Sequence, residues 1–288
     1  MMRAPGAWAV AVRKPDGTIE RVTHPLPRLS SRSRLARLPF VRGVLVLGEA
    51  LTLGLRALSW SAQKAVGEDE QPLTSWQLGL TMGAALTVFL TLFIVLPALA
   101  AKALPIESAL PFNLVEGVFR IALFLGYIWA IGRSREIRRV FQYHGAEHKT
   151  IHAYERGEPL GVERIQAYPT MHPRCGTNFL LIVLILSIFV FALLGRPGFL
   201  VLILSRVLLV PVIAGVSYEV IKLAGRGRLF RPLIAPGLAL QRLTTGPPED
   251  GMVEVAVTSL LAALDPAEVE DVKSRGPVSA AALAALIT

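Results

Sequence analysis

The sequence predicts an all-α polytopic membrane protein with about four transmembrane helices. An interfacial amphipathic helix, a small N-terminal β-hairpin and a histidine-rich cytosolic segment between spans two and three complete the prediction. Three observations lead to it. The 288 residues are 53% hydrophobic and 18% charged, with a mean hydropathy of +0.53, too apolar for a soluble domain of this length. Residues 72–101 contain no charged side chain, a run that as a helix measures about 45 Å and exceeds the hydrocarbon thickness. Of 30 lysines and arginines, 26 fall on one side of the spans drawn below, the distribution expected of cytoplasmic loops.

Residues 1–40 read as a hairpin followed by a basic arm. Residues 8–12 and 18–23 are strand-like on either side of "KPDG", where Pro15, Asp16 and Gly17 supply turn geometry. Arg28, Arg32, Arg34, Arg37 and Arg42 then punctuate a Ser- and Leu-rich stretch suited to a membrane surface. The first residues lack the charged region, apolar core and cleavage site of a signal peptide, so the first apolar span is expected to act as its own targeting signal.

Residues 41–65 read as an amphipathic or re-entrant helix, because Arg42, Glu49 and Arg56 recur every seven residues on one face. Residues 72–132 carry spans one and two; Glu116 and Arg120 in the second are spaced i,i+4 and can neutralise each other. Residues 176–218 carry spans three and four, joined through "GRPG". The fourth includes Arg206 and Pro211, whose ring is expected to kink it. An intramembrane ion pair between Glu116 and Arg206, shared with Arg120, follows from their common depth. Residues 219–288 read as a cytosolic segment in which Val253, Val257, Leu260 and Leu261 mark an amphipathic helix.

The charge distribution places both termini in the cytoplasm and accounts for the net charge of +9 without a specific nucleic-acid partner. The single Cys175 excludes an internal disulfide and suits the reducing side of a membrane.

Chemistry concentrates in residues 133–175. His144, His148 and His152 are spaced by four, so on a helix each turns about 40° from the last. Either i,i+4 pair matches a zinc-binding pair, and "HPRCGTNF" offers His172 and Cys175 as further ligands. A closed His144, His148, His172, Cys175 site would be structural, with His152 and Glu219 as additional candidates. "HGAEH" also fits the H-x-x-E-H pattern, in which two histidines hold zinc and the Glu, here Glu147, is the general base. The simpler alternative is a solvated face whose histidines pair with Glu147, Glu155 and Glu158. A third role is anion contact, with Lys149, Arg164 and Arg174 nearby. Cys175 could equally be a small buried residue at a helix start, capped by Gly176, Thr177 and Asn178.

"FQYHGAEHKTIHAYE", "HPRCGTNFL", "PVIAGVSYEVIKLAGR" and "PGLALQRLTT" closely resemble the YqhQ family of bacterial membrane proteins, over most of the chain. Members are described as predicted metal-dependent enzymes. The resemblance therefore implies an inner-membrane location and a site for zinc or another divalent metal at His144, His148, His172 and Cys175. Family members carry a glycine-rich stretch ahead of the "MMR" with which this chain begins, which implies a different start or a missing N-terminal element.

The leading expectation is a metal-dependent hydrolase at the membrane surface. The alternative is a non-catalytic accessory or scaffold subunit of a membrane translocation or assembly complex, with a structural metal and other membrane proteins as partners besides the lipid bilayer. A small transporter built around Glu116, Arg120 and Arg206 is the third.

Overall fold

The computed structural model describes residues 1–26, 34–65, 74–173, 175–224 and 231–287. The sequence forecast of an N-terminal hairpin becomes a three-stranded antiparallel sheet, β1 Met2–Arg3, β2 Ala7–Arg13 and β3 Ile19–Pro25, in the order β1-β2-β3. The added strand is short, two residues facing Ala9 and Trp8, below the length at which alternation is readable. Alternation along β2 divides the sheet: Trp8 and Val10 pack against one helix, while Ala9 faces another core. Of the basic arm, Arg28 and Arg32 lie outside the described residues.

Helix α1, Pro39–Ala65, joins the two halves of the molecule. Its Leu53 and Ala57 meet Trp8 and Val10 of the sheet. Its first turns cross α8, Phe199–Ala224, at near backbone contact, because a Cβ on Gly43 would lie 2.7 Å from the Gly215 Cα. The expected seven-residue charge repeat faces protein at two of its three positions. Arg42 Nη2 donates to both Glu219 oxygens at 2.7 and 2.6 Å, and Arg3 pairs with the buried Glu49 at 2.8 Å. Arg56 alone of the three is exposed.

Among the described residues, three helices are long and apolar enough to cross a membrane: Gly79–Lys102, Ala109–Ile131 and Phe199–Leu223. They associate the chain with a bilayer. The first combines α2 Ser75–Leu90, a π-helical turn Thr91–Val95 and α3 Leu96–Lys102; residues 72 and 73 of the expected span lie outside the described residues. The second is α4, Ala109–Ile131. The third, α8, continues through Pro211 to Ala224, beyond its expected end at 218. The remaining expected span is α7, Thr177–Leu193, 17 residues and as apolar but shorter than the other three.

The polar half surrounds α10, Asp250–Ala263. An amphipathic surface helix is the sequence expectation here. Instead Met252, Val253, Ala256, Val257, Leu260 and Leu261 are buried on several sides, against the sheet, α5 Arg135–Glu155 and α12 Ala280–Ile287. Small residues and Val at the would-be polar positions permit this all-round burial. Among the described residues, α6 Val162–Gln166 and α11 Pro266–Ser274 also belong to this half, while α9 Arg231–Thr244 packs against α7 and α8.

Candidate metal centre

Helix α5 carries the three spaced histidines on one continuous segment, capped by Ser134, whose side chain accepts from the Ile137 N–H at 3.2 Å. The His144 and His148 rings lie 4.3 Å apart. Opposite them, the chain before α7 brings Cys175 in, and His144 Nε2 stands 3.2 Å from Cys175 Sγ. One ligand atom from each of His144, His148 and Cys175 falls within 4.8 Å of the others.

Both ring orientations are fixed from behind. His144 Nδ1 is 2.8 Å from the Thr244 carbonyl and His148 Nδ1 is 2.5 Å from the Thr170 carbonyl. A carbonyl oxygen only accepts, so Nδ1 carries the proton in both rings and Nε2 is the nitrogen left for the site. Metal-binding histidines are held in this way, with the distal N–H donated to a carbonyl or carboxylate.

Gly145 makes the Thr244 contact sterically feasible. A Cβ there would come 2.1 Å from the Gly246 carbonyl oxygen. With glycine, residues 244–246 lie directly on α5, and the Gly246 N–H donates to the Phe141 carbonyl at 2.9 Å. The position beside His144 therefore sets where the Thr244 carbonyl stands.

Burial disfavours the Cys175 thiolate, but hydrogen bonds from His144 and His148, the charge of His144 and the Thr177 hydroxyl outweigh it and bring the thiol down to about 5. Burial likewise opposes protonation of His144. The hydrogen bond and charge of Cys175 overcome that and raise its pKa.

His172, the fourth residue of the expected closed site, stands to one side. Its Nε2 is 3.3 Å from Glu155 Oε2, and its ring lies 5.8 Å from that of His148 and 4.5 Å from that of His152. Gln241 of α9 fixes its backbone by accepting from the His172 N–H at 2.7 Å and donating to its carbonyl at 2.9 Å. Burial first, and the neighbouring His152 second, lower the His172 pKa. His152 turns away to the Met171 carbonyl, 2.9 Å from Nε2, and stacks on Tyr168. Glu219, the other optional ligand, is committed to Arg42. Of the expected anion contacts, Lys149 donates to the Gln166 carbonyl, Arg164 pairs with Glu158, and Arg174 lies outside the described residues.

The three-residue cluster opens on a pocket of about 520 Å³. Glu147 lines it beside Glu155 and His172, with Ile151, Leu260 and Leu264 as apolar wall. The Met1 amino group sits against Glu147 Oε1. Two soft-to-borderline nitrogens and one thiolate form a donor set for zinc-class metals, with three protein ligands and space beyond them.

A second polar cluster lies among the apolar helices. Arg206 donates to Glu116 at 2.6 and 3.2 Å and to Asn113 Oδ1 at 2.5 Å, and Arg120 donates to the same carboxylate. Arg120 also reaches Ser187 Oγ at 3.1 Å and the Phe93 carbonyl at 3.0 Å. That carbonyl has lost its i+4 donor because residue 97 is proline. Both guanidiniums lie over the Phe191 ring, at 5.1 and 4.3 Å. Asn113, Ser187 and Phe191 were not singled out by sequence; Asn113 shares a face of α4 with Glu116 at i,i+3 and could have been, whereas Ser187 and Phe191 lie on α7 and leave no local signal.

Comparison with known proteins settles the family. Residues 38–266 match the family described as Protein of unknown function (DUF1385). Over 270 residues the chain is 34% identical to the "Uncharacterized protein YqhQ" of Bacillus subtilis (strain 168), covering 88% of this chain and 85% of that relative. The chain belongs to this family. No solved structure matches it. Neither of these two descriptions names an activity, so the geometry above bears the functional reading.

Proposed function

We propose that this chain is a multi-pass membrane protein that holds a divalent metal, zinc by donor preference, on His144, His148 and Cys175, and uses it as a hydrolase. The observation that carries the reading is the convergence of three ligand atoms within 4.8 Å while both histidines donate Nδ1–H to backbone carbonyls. Three protein ligands facing a pocket are the pattern of a catalytic site; a closed structural site needs a fourth.

A metal bound there would supply a Lewis acid that polarises a carbonyl or phosphoryl oxygen and acidifies a water. The chain's own residues do the rest. Glu147, three residues from His144 and one from His148, lines the pocket and takes the proton at its carboxylate. The Thr244 and Thr170 carbonyls keep both imidazoles in the Nδ1–H tautomer. Ile151, Leu260 and Leu264 thin the water around the reacting atoms.

The membrane arrangement in this reading has four spans, counting α7, whose 17 residues sit at the short end of what crosses a bilayer. The lysine and arginine distribution puts both termini and the metal site on the cytosolic face. A bilayer-adjacent substrate follows from that position.

Cobalt(II) reconstitution of the purified full-length protein tests the reading. An ultraviolet thiolate-to-cobalt band, absent from Cys175→Ser, and visible bands shifted by a small hydroxamate are expected. Absence of the thiolate band in folded protein defeats the site. Bands that no small ligand shifts leave a closed structural metal, and with it the scaffold alternative.

A further inference from the structure

A second pocket, of about 610 Å³, lies between the sheet and α1, away from the histidines. Trp8, Val10, Val22, Leu26 and Trp60 supply its apolar surface, and Arg56 and His24 supply its basic groups. Among the described residues, no carboxylate lines it. The metal pocket, by contrast, is lined by Glu147, Glu155 and Glu268. Among the described residues, Arg56 makes no hydrogen bond or ion pair, whereas Arg42, Glu49 and Lys64 on the same helix each have a partner.

The helix that carries Arg56 also turns an apolar stripe outward. Its first turns pack against α8, and its outward stripe of Leu51, Leu55 and Leu58 is 60%, 49% and 69% exposed. These three are spaced i, i+4 and i+7 and form one apolar line, tolerable where acyl chains cover it. The next described helix, α2, begins at Ser75, and its second residue is Trp76, 78% exposed, in the manner of a residue at the head-group level.

We propose that this pocket seats an anionic glycerophospholipid, with its phosphate on Arg56 and its upper acyl chain against Trp8, Trp60 and Leu26. Arg is suited to phosphate through its planar fork, and Trp is suited to the boundary between polar and apolar matter. The site is independent of the metal and stands if the hydrolase reading fails.

The test uses full-length protein in phosphatidylcholine nanodiscs, in a Trp76→Phe/Trp129→Phe background, so that of the four tryptophans only Trp8 and Trp60 emit. Small mole fractions of chain-brominated phosphatidylglycerol or chain-brominated phosphatidylcholine are the probes. Phosphatidylglycerol is expected to quench at about fivefold lower mole fraction, the ratio equivalent to ~1 kcal/mol for one basic residue at an anionic surface. Arg56→Lys should retain most of that preference, and Arg56→Gln should reduce the ratio to about one, with unchanged thermal midpoints. Equal quenching by the two lipids in the unsubstituted pocket overturns the proposal without recourse to any pocket variant, and so does a preference that survives Arg56→Gln. Loss of quenching on adding millimolar inorganic phosphate would reassign the pocket to a free anion and overturn the lipid.

Discussion

The two buried polar clusters of this protein are built on opposite rules. Around Glu116, donors meet acceptors: two guanidiniums, an amide oxygen, a hydroxyl and a freed carbonyl complete one another among apolar helices, and Phe191 closes the top. Around His148, ligand atoms meet ligand atoms: two Nε2 atoms and a sulfur converge, while each imidazole already gives its Nδ1–H to the Thr244 or Thr170 carbonyl. The first cluster is complete and serves to lock helices. The second is a donor set for an electrophile. Counting polar residues does not separate them; tracing where each proton goes does.

The largest effect should come from breaking the complete cluster. Glu116→Ala leaves Arg120 and Arg206 buried without their carboxylate, and removal of one partner from a buried pair costs about 3–5 kcal/mol. Thermal unfolding in detergent should show a loss of that order, or failure to accumulate. A near-neutral result would mean that the helices are held by packing alone. Next comes Gly145→Ala, in which the added methyl meets the Gly246 carbonyl. Overpacking of this kind costs about 1–3 kcal/mol. If the Thr244 carbonyl is what orients His144, metal affinity in this variant should fall as well.

A smaller and more selective effect is expected from pH. In metal-free protein, iodoacetamide should label Cys175 with a midpoint near about 5, well under the roughly 8.5 of a free thiol. Because the folded pKa is depressed, the thiolate's contribution to stability is fully present above the ordinary thiol pKa and is lost as pH falls through that lower value. His144 runs the other way: its raised pKa contributes below the ordinary histidine value and is lost as pH rises through the folded one. The two limits bracket a window in which the pair is charged. Metal should suppress labelling throughout it. A midpoint near that of a free thiol would contradict the His144 contact.

What the sequence made legible was whatever repeats or is uncharged over a long stretch: the uncharged run of residues 72–101, the i,i+4 histidines, the i,i+4 Glu116 and Arg120. Cys175 could be proposed beside His144 because imidazole and thiolate are chemically matched, although 31 residues separate them. His172 and Glu219 were proposed on the same chemical ground. Their partners, Glu155 and Arg42, decided otherwise through packing that no local pattern encodes. The carbonyls of Thr244 and Thr170 are backbone atoms and leave no mark in side-chain spacing. Helix α10 misled because Val, Ala, Ser and Thr between its larger apolar residues mimic a weakly amphipathic pattern while nearly all of residues 252–263 are buried.

The most direct test of the central claim is metal content, measured by mass spectrometry on untagged full-length protein beside two single variants. His148→Ala removes a converging nitrogen, whereas His172→Ala removes a neighbour that faces Glu155. About one metal per chain in the parent, lost in His148→Ala and kept in His172→Ala, is the expected result for a three-ligand site. Well-folded parent protein that stays metal-free after reconstitution, or metal that survives His148→Ala, would contradict it.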